Sequence, residues 1–163
     1  MNLTNRIVGP LLASLIILGS GCTSNPPTPI ATPEVKQPKN DIELNLSGTG
    51  LTKIPETVFS QIHLERLNVS NNALTGAPQA EIRHLQALKS LDLSDNKLTG
   101  LPAELGQLKN LQTLDVSNNA LTGLPLELGN LTQLRLLDLS GNAYSVQDLE
   151  QISKKLPNTE IRR

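Results

Sequence analysis

The 163-residue chain has no tryptophan, one phenylalanine, one tyrosine, one cysteine, one methionine and two histidines. So few rings leave no series of platforms on which unpaired bases could stack. A net charge of −1, from 14 basic and 15 acidic residues, supplies no basic surface for a phosphate backbone. Nucleic acid is therefore not an expected partner. The single cysteine excludes an internal disulfide. Ile7–Leu18, the apolar run near the start, is shorter than the roughly 20 residues a helix needs to cross a bilayer core. Chemical motifs are missing too: there is no Cys-x-x-Cys, no His-Glu-x-x-His, no glycine-rich phosphate loop after a strand and no Gly-x-Ser-x-Gly. His63 and His84 fall at different registers, with only Glu65 and Glu81 beside them in sequence, and read as solvated histidines. No catalytic residue, metal site or cofactor is expected, and the chain does not read as an enzyme.

What the chain does have is repetition. Leu88–Asn110, LKSLDLSDNKLTGLPAELGQLKN, returns almost unchanged as Leu111–Gln133, LQTLDVSNNALTGLPLELGNLTQ, and Leu91, Leu114 and Leu137 follow one another at intervals of 23 residues. Leu44 precedes Leu67 by the same interval, and Leu64–Ala87 is a further copy with one extra residue between Pro78 and Ile82. A last copy opens at Leu134–Leu139 and then departs. Five units thus fill almost everything after residue 40. A period in the twenties means a solenoid, in which each unit buries its apolar face against its neighbours.

Within each unit leucines alternate with polar residues, as in Leu91-Asp92-Leu93, the period of a strand with one buried face. Equivalent strands are a whole unit apart and run the same way, so they form a parallel sheet on one side of the coil. The asparagine that follows, Asn72, Asn96, Asn119 or Asn142, stands where the chain turns inward. Its amide can satisfy backbone groups that would otherwise be buried unpaired. Thr49 takes this slot in the first unit, which is expected to be the least well tied. Pro78, Pro102 and Pro125 then prevent a regular strand, and Leu105 with Leu108, or Leu128 with Leu131, have helical spacing. Short helical or 3-10 turns are expected there. Phe59 and Ile62 occupy the first such segment, slightly off the register of the later copies.

The pattern L-x-x-L-x-L-x-x-N-x-L followed by L-P-x-x-L-x-x-L closely resembles the leucine-rich repeat family. The resemblance implies an α/β leucine-rich repeat solenoid, with a concave parallel sheet and short convex segments, that recognises proteins through the concave face. Open solenoid ends need caps. At the C-terminus, about 145–163, Ser145 to Asp148 read as a helix start. Val146, Leu149, Ile152 and Leu156 then share one face, Pro157 ends the helix, and Thr159–Arg163 can add a strand because Ile161 falls 24 residues after Leu137. The N-terminal end has no comparable segment and should fray.

The leucine-rich domain accordingly spans residues 41–163, behind two further segments. Residues 1–21 combine a charged start, the apolar run Ile7–Leu18 and small residues, the pattern of a secretory signal. Leu-Gly-Ser-Gly-Cys, ending at Cys22, resembles a bacterial lipobox, with Leu18 one position earlier than that motif usually has it. The resemblance implies lipidation of Cys22 and attachment to a membrane of the cell envelope. Thr23, in place of Asp, resembles the outer-membrane lipoproteins of enterobacteria and favours the periplasmic side in a Gram-negative cell. Residues 22–40 carry Pro26, Pro27, Pro29, Pro33 and Pro38 and no hydrophobic period, so an extended tether is expected, with Ile30 and Val35 able to fold back over the first unit.

On the expected concave face, side chains stack in columns about 4.8 Å apart. One holds Asn45, Asn68, Asp92, Asp115 and Asp138; a second Ser47, Ser70, Ser94, Ser117 and Ser140; a third Glu43, Arg66, Ser90, Thr113 and Leu136. Arg66, Asn68, Ser70, Asp92, Ser94, Asp115, Ser117, Arg135, Asp138 and Ser140 are the candidate binding residues, with Tyr144 as an aromatic contact. They suit a basic or hydrogen-bonding partner, a protein ahead of a glycan, bound by a monomer. Calcium fits poorly, because the carboxylates approach from one side and a calcium ion takes about six to eight oxygens. The competing reading is a passive envelope spacer in which Asp and Ser only solvate the sheet. If Cys22 is the anchor, Cys22→Ala should move the protein from the membrane to the soluble fraction; an unprocessed, membrane-bound variant would contradict the lipobox assignment.

Overall fold

The computed structural model describes residues 42–163. The signal segment, Cys22 and the tether, including Ile30 and Val35, lie outside the described residues. The sheet side of the coil is built from β1 (Glu43–Asn45), β2 (Arg66–Asn68), β4 (Ser90–Asp92), β6 (Thr113–Asp115), β7 (Leu136–Asp138) and β8 (Glu160–Arg162), all parallel and in that spatial order. The register places Leu44, Leu67, Leu91, Leu114, Leu137 and Ile161 side by side, so the 23-residue interval of the sequence is the register of the sheet. Each strand of this sheet is three residues long. A second ladder of β3 (Thr75–Gly76) and β5 (Lys97–Leu98) follows the inward turn.

The core is a set of apolar columns running through the coil. Leu67, Leu91, Leu114 and Leu137 form one, and Val69, Leu93, Val116 and Leu139 the next, none more than 1% exposed. At about 25 cal/mol per Å² of buried apolar surface, this leucine packing is the main stabilising term. The columns weaken toward the start, where Leu44, Leu46 and Leu51 are only partly buried against the core. An end unit has a neighbour on one side only.

Side-chain amides tie the units together at the turns. Asn96 donates from Nδ2 to the carbonyls of Val69 (3.1 Å), Leu93 (3.1 Å) and Ser94 (3.0 Å), while its Oδ1 accepts from Leu74 N (3.0 Å). Asn72, Asn119 and Asn142 repeat the same four contacts. Thr49 has one hydroxyl hydrogen, directed at Leu46 O (2.7 Å) and Asn72 Oδ1 (3.3 Å), so the first turn has fewer ties, as its sequence implies. The residue before each of these positions is left-handed: Gly48, Asn71, Asp95, Asn118 and Gly141 all have φ between 52° and 69°. Only Gly, Asn and Asp occupy the slot, the residue types that adopt this conformation at least cost.

The opposite side carries four 3-10 turns, Glu56–Ser60, Ala80–His84, Ala103–Gln107 and Leu126–Asn130. Pro55, Pro102 and Pro125 immediately precede three of them, and Gln79 takes the place in the second unit, where the extra residue shifts Pro78 back by one. In the first turn Val58 keeps the apolar register and is buried, as is Phe59, whereas Ile62 is 56% exposed, because Gln61 stands where later units have Leu85, Leu108 and Leu131. Gly106 and Gly129 let the next segment approach closely: a Cβ on Gly106 would clash with the backbone oxygen of Glu127, and one on Gly129 would lie 2.6 Å from Lys155 Cδ.

The C-terminal cap is α1 (Val146–Lys155) followed by β8. Ser145 caps α1, its Oγ accepting from Asp148 N at 3.2 Å, and the Asp148 carboxylate accepts from Leu124 N (3.2 Å) in the preceding unit. Leu149, Ile152 and Leu156 are buried against the last repeat. Val146 is not part of that face. It is 64% exposed, because it sits at the first helical position, before the helix has turned its apolar side to the core. The added strand is Glu160–Arg162, shorter at both ends than the sequence suggests. Gly106→Ala should destabilise the fold by about 1–3 kcal/mol in urea denaturation, through the clash with Glu127. Gly100→Ala, where an added Cβ meets nothing within 4 Å, should stay within about 0.5 kcal/mol of wild type.

Candidate protein-binding face

The columns expected on the sheet face are present, and their polar atoms are partly committed to one another. Asp92 Oδ1 accepts from the Ser94 amide (3.0 Å) and hydroxyl (2.6 Å); Asp115 does the same for Ser117 at 2.9 and 2.7 Å, and Asp138 for Ser140 at 3.0 and 2.6 Å. Asn68 holds Ser70 identically, and Asn45 accepts from the Ser47 amide. Two charge-assisted bonds to each aspartate offset the repulsion between stacked carboxylates, and they also close the turn into the left-handed residue that follows. Ser70, Ser94 and Ser117 are buried, and Ser140 is half-buried. The hydroxyls that the sequence offers to a ligand therefore serve the fold.

The second oxygens of Asp92 and Asp115 accept no protein hydrogen bond among the described residues, and both aspartates are half-buried. Asp138 is more enclosed, 9% exposed, and its Oδ2 lies 3.9 Å from Arg162 Nη1. Arg162 falls in the aspartate column because β8 pairs with β7 in register, Asp138 opposite Arg162. This cation escaped the sequence reading, although the 24-residue interval that places Ile161 after Leu137 equally places Arg162 after Asp138. The Glu160 carboxylate, hydrogen-bonded to Arg162 Nε at 2.8 Å, holds that guanidinium above its ordinary pKa, and the charges of Asp138 and Asp115 add to the effect.

The remaining candidates are arranged around this strip. Arg66 is exposed and paired with Glu43 (3.1 Å), Lys89 is paired with Glu65 (2.8 Å), and Arg135 is exposed. Ser90, Thr113 and Leu136 lie half-buried in the column beside the aspartates. Tyr144 is half-buried and packs against the core. Exposed Asp95 and Asn118, linked at 3.1 Å, extend the polar edge one column further. Strands repeat at about 4.8 Å and helical segments pack further apart, which bends such a coil with its sheet inside. The strip is an acidic floor with basic residues at its margins.

This architecture, a parallel sheet at one residue of each unit, an asparagine column and short outer turns, defines a leucine-rich repeat solenoid. The family model described as leucine rich repeat matches residues 43–98 and 86–143, and the chain belongs to that family. It is 38% identical over 61 residues to human leucine-rich repeat-containing protein 2, which is 37% of this chain and 16% of that protein. A solved leucine-rich repeat protein of Leptospira interrogans superimposes with a TM-score of 0.65 at 43% identity, over 69% of this chain and 28% of that one. The ectodomain of the plant receptor kinase GASSHO1/SCHENGEN3 from Arabidopsis thaliana, solved in complex with Casparian strip integrity factor 2, gives 0.62 at 34% identity, over 74% and 15%. The chain spans less than a third of the length of each. Proteins of this family generally mediate protein–protein binding and are typically not enzymes.

Proposed function

We propose that this chain is a lipid-anchored leucine-rich repeat protein of the bacterial cell envelope that binds a protein partner through its sheet face. The observation that carries the binding reading is the pair of outward Asp92 and Asp115 oxygens on a rigid strip, with no protein hydrogen bond to them among the described residues. A basic, extended protein segment suits them: donors spaced at strand repeats meet acceptors about 4.8 Å apart. Family membership supports a protein as the partner. The anchor and the envelope location rest on Cys22 and the apolar run before it, and the face then stands at the end of a proline-rich tether. A monomer serves this purpose, since one copy presents the whole strip.

A spacer without a dedicated ligand is the second reading. The observation that favours it is the internal pairing of every aspartate in the column with its serine. The two readings part at Asp92 and Asp115. Residues 23–163 should capture a basic protein from native envelopes by crosslinking, and an Asp92→Lys/Asp115→Lys variant with an unchanged unfolding midpoint should lose it. Asp138 is left intact in that variant because of its place beside Arg162. Equal capture by both baits would move binding off the strip; no capture by either would favour the spacer.

A further inference from the structure

The two ends of the sheet differ. At the C-terminal end α1 exposes Gln147, Glu150, Gln151 and Lys154, and the outer strand β8 carries Glu160 and Arg162. At the other end β1 is the outermost strand among the described residues. Leu46 N donates to Asn68 O, and Glu65 and Arg66 donate to Ile42 O, so residues 42, 44 and 46 turn their backbone groups toward β2. Glu43 and Asn45 turn theirs outward. In every later strand of this sheet the carbonyl equivalent to that of Asn45 is taken: those of Asn68, Asp92, Asp115, Asp138 and Arg162 accept from the amides of Leu46, Val69, Leu93, Val116 and Leu139. Asn45 O has no such donor among the described residues.

The side chains along this edge are apolar where the other units are polar. A chain of bonds identifies the slot of Ile42: Glu65 N donates to Ile42 O, Lys89 N to Glu65 O, Gln112 N to Lys89 O and Arg135 N to Gln112 O. Only the first unit fills that slot with an apolar residue, and Ile42 is 41% exposed. Leu44 and Leu46, at the same alternate spacing, are only partly buried against the core. From Ile42 to Leu46 the edge therefore reads apolar, polar, apolar, polar, apolar, the same in both directions. An antiparallel copy centred on Leu44 sets Leu44 against its counterpart, Ile42 against Leu46 and Glu43 against Asn45, and the last two exchange both backbone hydrogen bonds. Centring on Glu43 instead would oppose two glutamates, and centring on Asn45 would leave Ile42 against Gly48. Head-to-tail stacking of β8 on β1 is disfavoured as well, because the sheet register would place Glu160 beside Glu43. We propose that β1 is a self-association edge, at which a second copy of this chain pairs antiparallel about a two-fold axis. The axis stands perpendicular to the sheet, so both acidic strips face the same way. The dimer does not rest on the sheet-face reading, and it replaces the monomer expected from the sequence.

Sedimentation of residues 23–163 at rising concentration should show the mass moving from one chain to two and stopping there. In dilute, monomeric protein the first unit stays open, and the Glu43 and Asn45 amides should exchange freely; they should become protected as the dimer forms. Ile42→Lys places at the edge the residue type that Lys89 supplies in the third unit, so the unfolding midpoint should hold. A two-fold interface meets the substitution twice, and the dimer dissociation constant should rise about tenfold or more. Glu160→Gln, at the far end, should change neither the mass nor the constant. Four results would overturn the proposal: a monomer at every concentration, growth beyond two chains, a dimer that Ile42→Lys leaves intact, or one that Glu160→Gln alters. Protection of Glu43 and Asn45 in a monomer would overturn it too, since residues 23–41 of the same chain would then cover the edge.

Discussion

Each asparagine in the turn column joins two units, and the rest of the solenoid depends on that bond set. The amide of Asn119 reaches carbonyls of Leu93 in the unit before and of Val116 and Ser117 in its own, while its oxygen takes the Leu98 amide of the unit before. An aspartate could accept but not donate, and a serine has a single hydrogen. Without donating amides in the column, the Leu93 and Val116 carbonyls at the inward turn would be left unpaired, at about 1–3 kcal/mol each. With the asparagines in place, no buried side-chain nitrogen or oxygen among the described residues lacks a partner. The chain can turn inward every 23 residues only because those groups are satisfied, and the turn sets the strand register, which in turn lays out the columns of the sheet face.

Uniformity and departure have different consequences here. Where units are alike, leucines stack on leucines, glycines admit close packing, and each aspartate closes its own turn through a serine. Most of the polar pattern is therefore consumed by the fold, leaving outward oxygens at Asp92 and Asp115. Where the units differ, the fold loosens: Phe59, standing where later turns have Gly106 and Gly129, holds the first outer turn off the second. At the far end a departure closes the fold instead, as α1 covers the last leucines and β8 brings Arg162 to the end of the carboxylate column.

The strand positions, their parallel order, the outer turns, the asparagine column and the capping helix with its added strand were all legible, because each follows from a period or a local stop signal. Val146 was misplaced for a related reason: helical spacing assigns a face, but a residue in the first turn need not have reached the core. The left-handed column was present in the sequence as an alternation of Gly, Asn and Asp at one slot, yet only backbone angles reveal why. The pairing of Asp with Ser depends on side-chain direction after a strand ends, which spacing does not specify. The place of Arg162 depends on which residues of different units meet, and the extra residue before Ile82 was visible while its effect on the outer turns was not.

The central claim, that coupling between units through the asparagine column and the stacked leucines holds each turn, is tested most directly by native-state hydrogen exchange. The amides of Leu46, Val69, Leu93, Val116 and Leu139 are equivalent, each donating to a carbonyl of the next strand at 2.8 to 3.0 Å. They differ in what flanks them. Leu46 lies in the open first unit with Thr49 at its turn, whereas Leu93 and Val116 sit between asparagine-tied neighbours. The account expects Leu46 to be the least protected and Leu93 and Val116 the most, by about tenfold or more, as local opening requires. Equal protection at all five amides would contradict it, since the chain would then open only as a whole.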